Sequence, residues 1–385
     1  MRENNIITKQ QLVIKNGYSD NLTNKGNMES EMTYSIQADG FGVKRFKKNQ
    51  ATTNKFALKS PVVLLRSDLP MQKLILKFLR VIAIVAHPNI KKWYCYFVRD
   101  NYYSRLIQIK YFFKDYVFKE KYKIITHNAE FQQELTFVLP FAYWHFLNGT
   151  LAKTISSNDT KELYFFSKDH VEAYAKRECI NERKTYKIPN MTHAFSFNYK
   201  KWARVPLKQY YKNETFVFEK PILVIANKYN IEWEDNPVNF MDIPMLDKII
   251  RNHKDKYQII YNRPLSTQIV PDNSEILDLG EHLWIKANHP EVLLMNDLFT
   301  KHVKQVNNFN HLQLMVYANC SHFISVHGGT AALASYFGGT NIIYSRKGLE
   351  HVFKEFNTIF PKLSGALILH AKKVEEVFTY LQDYY

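Results

Sequence analysis

The run from Ser321 to Ser345, SHFISVHGGTAALASYFGGTNIIYS, constrains the fold more than any other stretch of the chain. It reads as strand, glycine turn, helix, glycine stop and strand. Short apolar runs bounded by turns are strands buried on both faces, and strands that alternate with helices build a parallel sheet. The first strand delivers His327, Gly328 and Gly329 to the carboxyl edge of that sheet. Two successive glycines let the backbone turn sharply and approach a ligand with no Cβ in the way. The amides that open the following helix, with the Thr330 hydroxyl, suit an anionic group.

The remainder of the second half repeats the alternation. PILVIAN is a buried strand ending at Asn227 and Lys228, MLDKIIRNH a helix, and KYQIIYNRP a strand ending at Asn262 and Arg263. VLLMNDL suits a short strand with Asn296 and Asp297 at its end. NHLQLMVYAN, carrying Gln313, and VEEVFTYL have apolar residues at helical spacing. Such a pattern predicts a doubly wound α/β domain, in which ligands sit at the carboxyl ends of the strands.

The first half is less regular. PVVLLRS reads as a strand, and LILKFLRVIAIVA as a helix running into a second strand, VIAIVAHP. KIITH is a strand ending at His127. ELTFVLPFAYWHFL is a helix kinked or begun at Pro140. LYFFS is read as a strand and Asp169 to Arg177 as the helix after it. Residues 1–57 form a polar arm or flap with a basic run, KRFKK, at Lys44 to Lys48. The expected division is an arm at 1–57, a Rossmann-like domain at 58–205, a linker at 206–220 and a second Rossmann-like domain at 221–385. The last helix has the option of packing back on the first domain.

At 385 residues the chain has room for two α/β domains of ordinary size. Its 46% hydrophobic content excludes wholesale disorder, and the formal charge of +16 favours nucleic acid, an anionic membrane or a phosphorylated substrate as partner. Three widely spaced cysteines, Cys95, Cys179 and Cys320, give neither a disulfide framework nor a cysteine-rich zinc site. No stretch reaches the roughly 18 to 20 apolar residues of a spanning helix, and MRENNIITKQ lacks the apolar core of a signal peptide. A cytoplasmic protein, able to touch a membrane peripherally, is the expectation. Between Trp93 and Lys123 basic and aromatic residues interleave, as in an amphipathic helix with snorkelling lysines or a surface that meets an acceptor or lipid.

The segment from Asn310 to Gly339, NHLQLMVYANCSHFISVHGGTAALASYFGG, resembles the donor-site region of GT-B glycosyltransferases that build surface polysaccharides and related glycans. The resemblance is firm over Asn310 to Arg346, moderate over the rest of the second half and weak over the first 200 residues. It implies two Rossmann-like domains facing a central cleft, and transfer of a sugar from a nucleotide-diphosphate donor to a glycan or glycolipid hydroxyl. It also implies that His327 faces the donor phosphate or sugar, with the Gly328, Gly329 and Thr330 backbone beneath the diphosphate. Arg263 or Lys228 would neutralise the leaving diphosphate, beside Asn227. Asn296 and Gln313 are weaker candidates on the nucleoside side.

An inverting reaction needs a general base from the first domain, for which His127, Glu130, Glu134 and His145 are the candidates. No cofactor other than the donor substrate is expected. A metal is not required by the pattern, because a D-x-D arrangement is missing from the donor region and Glu234 with Asp235 reads as an exposed acidic turn. A nucleic-acid-binding protein is the main alternative; the charge supports it, but no compact recognition module does. An epimerase-like or dehydrogenase-like enzyme would need a glycine fingerprint after its first strand, which this sequence lacks.

Overall fold

The computed structural model describes residues 36–38, 41–43, 70–86, 88, 98, 101–102, 104–178, 188–190, 197–231, 236–270 and 274–385. The chain divides into two compact units, Met1–Leu58 and Lys59–Tyr385. Of the first, an antiparallel hairpin of β1 (Ile36–Ala38) and β2 (Phe41–Val43) is described. The KRFKK run, PVVLLRS, Glu234, Asp235, Cys95 and Cys179 lie outside the described residues.

The second unit is a two-lobed α/β structure with two parallel sheets, an architecture of Rossmann type. The larger sheet holds β6 (Ile222–Ala226), β8 (Gln258–Asn262), β10 (Leu293–Leu294), β11 (His322–Val326), β12 (Thr340–Tyr344) and β13 (Leu367–Ala371), all parallel. Their spatial order is β10-β8-β6-β11-β12-β13. Taken in chain order these strands lie 3-2-1-4-5-6, so the winding reverses between β6 and β11, the place where open α/β sheets hold their ligands. β7 (Asn230–Ile231) and β9 (Glu275–Ile276) form a small antiparallel pair beside it.

Alternation along each strand sorts side chains to the two faces. Leu223 and Ile225 of β6, with Ile324 and Val326 of β11, pack under the helices Ile243–His253 and Val374–Tyr384. The terminal helix therefore covers its own sheet, and the Tyr385 hydroxyl donates to the Phe323 carbonyl at 2.7 Å. Val224, Ala226 and Phe323 point the other way, toward the helices Phe309–Ala318 and Gly329–Ala334. That second face shares one continuous core with the smaller lobe, including Ile125, Leu135, Phe137 and Phe141.

The smaller lobe carries the parallel sheet β3 (Lys123–Thr126), β4 (Leu151–Ser157) and β5 (His170–Tyr174), in that order. Three expectations are corrected here. VIAIVA is not a strand: the helix Pro70–Ala86 runs through it, because no glycine, proline or other turn residue interrupts the segment before His87. LYFFS forms a buried turn whose Leu163, Tyr164 and Phe166 fill the core, so its apolarity reflects packing and not strand pairing. The segment after it is a strand, β5, held at the sheet edge by pairing with β4.

The segment read as one helix around Pro140 is a helix with a widened turn. Phe131–Gln133 leads into a π-helical stretch, Glu134–Val138, and then the helix Leu139–Leu147. Pro140 has no N–H to offer the Thr136 carbonyl and would crowd it in a regular turn. The freed carbonyls find side-chain donors instead: Trp202 Nε1 donates to Thr136 O at 3.1 Å and the Tyr336 hydroxyl to Leu135 O at 2.5 Å.

Candidate functional site

The strand reversal lies between β6 and β11, whose carboxyl ends carry Asn227 with Lys228 and His327 with the glycines. Asn227, wholly buried, fixes the β6 side: its Nδ2 donates to Met241 O at 2.9 Å and its Oδ1 accepts from Met241 N at 3.0 Å and Lys228 N at 2.9 Å. Asn227 thus pins the loop after β6 and sets the direction of Lys228. On the β11 side Gly328 has φ +101°, a conformation that L side chains rarely adopt. A Cβ there would lie 3.3 Å from Lys228 Nζ, so the ammonium stands directly over the glycine turn.

The smaller lobe closes the other side. A Cβ on Gly329 would meet Phe131 Cδ1 at 2.8 Å. The Arg177 guanidinium lies 5.0 Å from the Phe131 ring centroid, and its amino groups donate to Ala129 O at 3.0 Å and Glu134 Oε2 at 2.7 Å. Sequence reasoning missed Phe131 and Arg177 as site neighbours, since neither sits in a motif. The approach of a helix start to a glycine turn more than 190 residues away leaves no local signal.

His127 ends β3 on the loop that leads to Phe131. It is buried, and its Nε2 lies 3.2 Å from Glu130 O. A carbonyl only accepts, so Nε2 carries the proton and Nδ1 the lone pair. Burial lowers its pKa, with Arg177 acting in the same direction against Glu134, so the ring is neutral near pH 7. Glu134 is fully buried and accepts from Arg177, from the Tyr164 hydroxyl at 2.8 Å and from the Ser156 hydroxyl. Burial alone would raise its pKa; Arg177 and the donated hydrogen bonds outweigh that and lower it. His145 lies elsewhere in the lobe, bonded to Thr150 Oγ1 at 2.7 Å, and burial with Lys123 and Lys201 nearby brings it down to about 2. Glu130 is exposed.

His327 is 1% exposed and has both ring nitrogens engaged. Nε2 lies 3.1 Å from Glu350 Oε1 and Nδ1 2.8 Å from Ser345 Oγ; Ser345 Oγ in turn lies 2.8 Å from His351 Nε2. With a neutral His327 ring carrying its proton on Nε2 toward Glu350, Nδ1 accepts from the Ser345 hydroxyl, and Ser345 Oγ accepts from His351. Gly348 covers the ring, since a Cβ there would lie 2.2 Å from His327 Cε1. Strand register explains the meeting, because Val326 pairs with Tyr344 and so sets His327 beside Ser345. Glu350 and His351 went unnoticed in the sequence for want of any spacing that ties them to His327.

Beyond β8 the Arg263 guanidinium is tied to the Glu281 carboxylate, to Leu277 O at 3.1 Å and to Asp278 Oδ1 at 3.3 Å. It braces the segment 277–281. Asn262 Nδ2 donates to Gln313 Oε1 at 2.8 Å and to the Tyr317 hydroxyl at 2.7 Å. Gln313 Nε2 donates to Asn310 Oδ1 at 2.9 Å, and Asn310 reaches Asp159 O in the smaller lobe at 2.7 Å. Two buried acceptors at this edge, Asn262 Oδ1 and Asn296 Oδ1, have no hydrogen-bond partner among the described residues.

The structure thus gathers Lys228, Gly328 and Gly329 at the crevice, with Thr330 following. Asn296 lies in the first turn of the helix Met295–His302, Gln313 in the helix Phe309–Ala318 where it bonds Asn262, and His327 and Arg263 brace the turns they sit in. The helix after the glycines, Gly329–Ala334, has six residues, so its dipole is a minor contributor and Lys228 is the larger positive influence. Among the described residues no three His, Cys, Asp or Glu side chains are grouped to hold a metal ion. Compared with protein-family models, curated proteins and solved structures, the chain finds no match, so its assignment to a two-lobed α/β architecture of Rossmann type rests on strand order and connectivity.

Proposed function

We propose that the protein is a nucleotide-sugar-dependent glycosyltransferase of GT-B type, with the donor diphosphate over Gly328 and Gly329. The observation that carries the reading is Lys228 Nζ poised above a glycine turn at the point where the strand order reverses. A bare backbone turn admits phosphate oxygens closely, and a fixed ammonium stabilises the charge that grows on them as the sugar departs. Lys228 is assigned that task by position, its Nζ lying against the Gly328 turn, while Arg263 pairs with Glu281 beyond β8. Asn262, held by Gln313 and Tyr317, braces the neighbouring strand end, and Asn296 follows the next strand on the nucleoside side. Asn227 aims Lys228, and His327 holds the turn rather than touching the donor.

The acceptor hydroxyl attacks the anomeric carbon, the bond from that carbon to the diphosphate oxygen breaks, and the diphosphate leaves with the electron pair. In an inverting reaction His127 Nδ1 takes the hydroxyl proton, a role its neutral ring suits. Glu134 positions that loop through Arg177 and Phe131. The acceptor is read as a glycan or glycolipid, and the donor as the sole small-molecule requirement.

The test is calorimetric titration of the full chain with a panel of nucleoside diphosphates and their sugar conjugates, beside Lys228→Gln. Selective binding of one diphosphate, weakened about tenfold or more in the variant, supports the reading. Loss of all diphosphate binding, with single-stranded DNA or RNA still bound, would favour a nucleic-acid-binding protein instead.

A further inference from the structure

The largest concentration of exposed apolar side chains lies far from the crevice in sequence. Of the 25 exposed large hydrophobic residues among those described, 13 fall between Leu74 and Phe118. The helix Ser104–Lys110 leads to a π-helical turn, Phe113–Phe118, and together they turn Ile109, Phe113, Val117 and Phe118 outward, each more than half exposed. The rings are contiguous: Phe113 lies 5.7 Å from Phe112 and 6.5 Å from Phe118, and Phe112 lies 5.2 Å from Tyr116. The helix Pro70–Ala86 packs against this segment through Leu79 and Ala83. It leaves Leu74, Phe78 and Val85 exposed and contains no acidic residue.

Charge is sorted across the same surface. Lys110, Lys114, Lys119 and Lys121 are exposed, with Glu120 the one exposed acid between them. The other acid of the stretch, Asp115, is buried and paired with Lys201, and accepts from the Tyr122 hydroxyl at 2.5 Å. Negative charge is thereby withdrawn inward while positive charge rims the apolar patch. Single-stranded nucleic acid would call for stacking platforms without the interleaved Ile109 and Val117. An apolar ridge rimmed by lysines fits the boundary between acyl chains and anionic headgroups. No described helix is long and apolar enough to cross a membrane, so the contact is interfacial.

We infer that the face formed by residues 106–118, extended by the helix Pro70–Ala86, docks the protein on an anionic phospholipid surface, with Phe113 and Phe118 entering the acyl boundary. This docking does not depend on the sugar-transfer reading. The test is co-sedimentation of the full chain with phosphatidylcholine vesicles with and without phosphatidylserine, beside Phe113→Ser/Phe118→Ser and K110E/K114E. The expected result is binding to the anionic vesicles only, weakened about tenfold or more by each double variant and by added salt. Unchanged thermal melting of both variants would show that the exposed substitutions leave the fold intact. Failure of the wild-type chain to bind anionic vesicles overturns the inference, as does a Phe113→Ser/Phe118→Ser variant that binds them equally well. A lipid-free dimer that this variant dissociates, without vesicle binding, would show a second copy on the patch and also overturn it.

Discussion

Lys228 Nζ stands 3.3 Å from the point where a Cβ on Gly328 would project, so the two residues divide one small volume between a positive charge and a bare backbone. Gly328→Ala fills that volume and forces φ +101° on a residue that resists it. The expected cost is about 1–3 kcal/mol of stability by chemical denaturation. Nucleoside-diphosphate affinity, read by calorimetry, should fall about tenfold or more. Undiminished diphosphate affinity in this variant would remove the glycine turn from the site.

Glu134 and Arg177 form a buried pair, so neutralising one partner strands the other. Glu134→Gln should destabilise the protein by about 3–5 kcal/mol in urea unfolding. The carboxyl pKa is lowered in the fold, so the contribution is complete above the pKa of the unfolded chain and disappears as pH falls through the folded value. The stability difference between wild type and variant should therefore shrink in acid, and a pH-independent difference would argue against an ionised Glu134.

Two histidines are held neutral well below their usual range. Burial takes His145 to about 2, and burial with the neighbouring His370 and His327 takes His351 to about 4. Below about pH 6.5 the unfolded chain gains protons at both sites while the fold gains none until those lower values. Stability should fall as pH drops from about 6.5 toward 4, by at most about 1.4 kcal/mol per unit for each group and less for the partly solvated His351. His145→Gln should flatten the slope in pH-dependent melting; an unaltered slope would mean that His145 is protonated in the fold.

Gly348 packs on the face of His327 in extended backbone, so Gly348→Ala acts by steric displacement alone. Moving the imidazole breaks its contacts with Ser345 and Glu350 and leaves buried polar groups unmet, a loss of about 2 kcal/mol or more. Donor affinity should fall with it, because His327 leads directly into the glycine turn. Nuclear magnetic resonance of the His327 ring would show the change of tautomer or environment; an unperturbed ring would mean that the loop yields instead.

The larger sheet was legible in the sequence because ILVIA, QIIYN, HFISV and TNIIY are buried on both faces, which leaves continuous apolar runs between turns. Lys228 and the glycines follow strands of that kind and so could be placed at strand ends, whereas His127 follows β3, whose alternate residues Ile124 and Thr126 are exposed. β5 was not, since HVEAY is an edge strand whose exposed side chains carry no burial pattern. LYFFS misled in the opposite direction, its apolar residues filling a core from within a turn. His327 was visible but its Glu350 contact was not, because that contact arises from strand register and the loop beyond it.

The π-helical turn at Glu134–Val138 lends its carbonyls to Trp202 in the smaller lobe's own chain segment and to Tyr336 beside the larger sheet. A proline that would have broken a regular helix leaves a widened turn instead, and one of its freed carbonyls, Leu135 O, ties the two lobes through the Tyr336 hydroxyl. The two lobes therefore meet through a polar tie as well as through the apolar core they share.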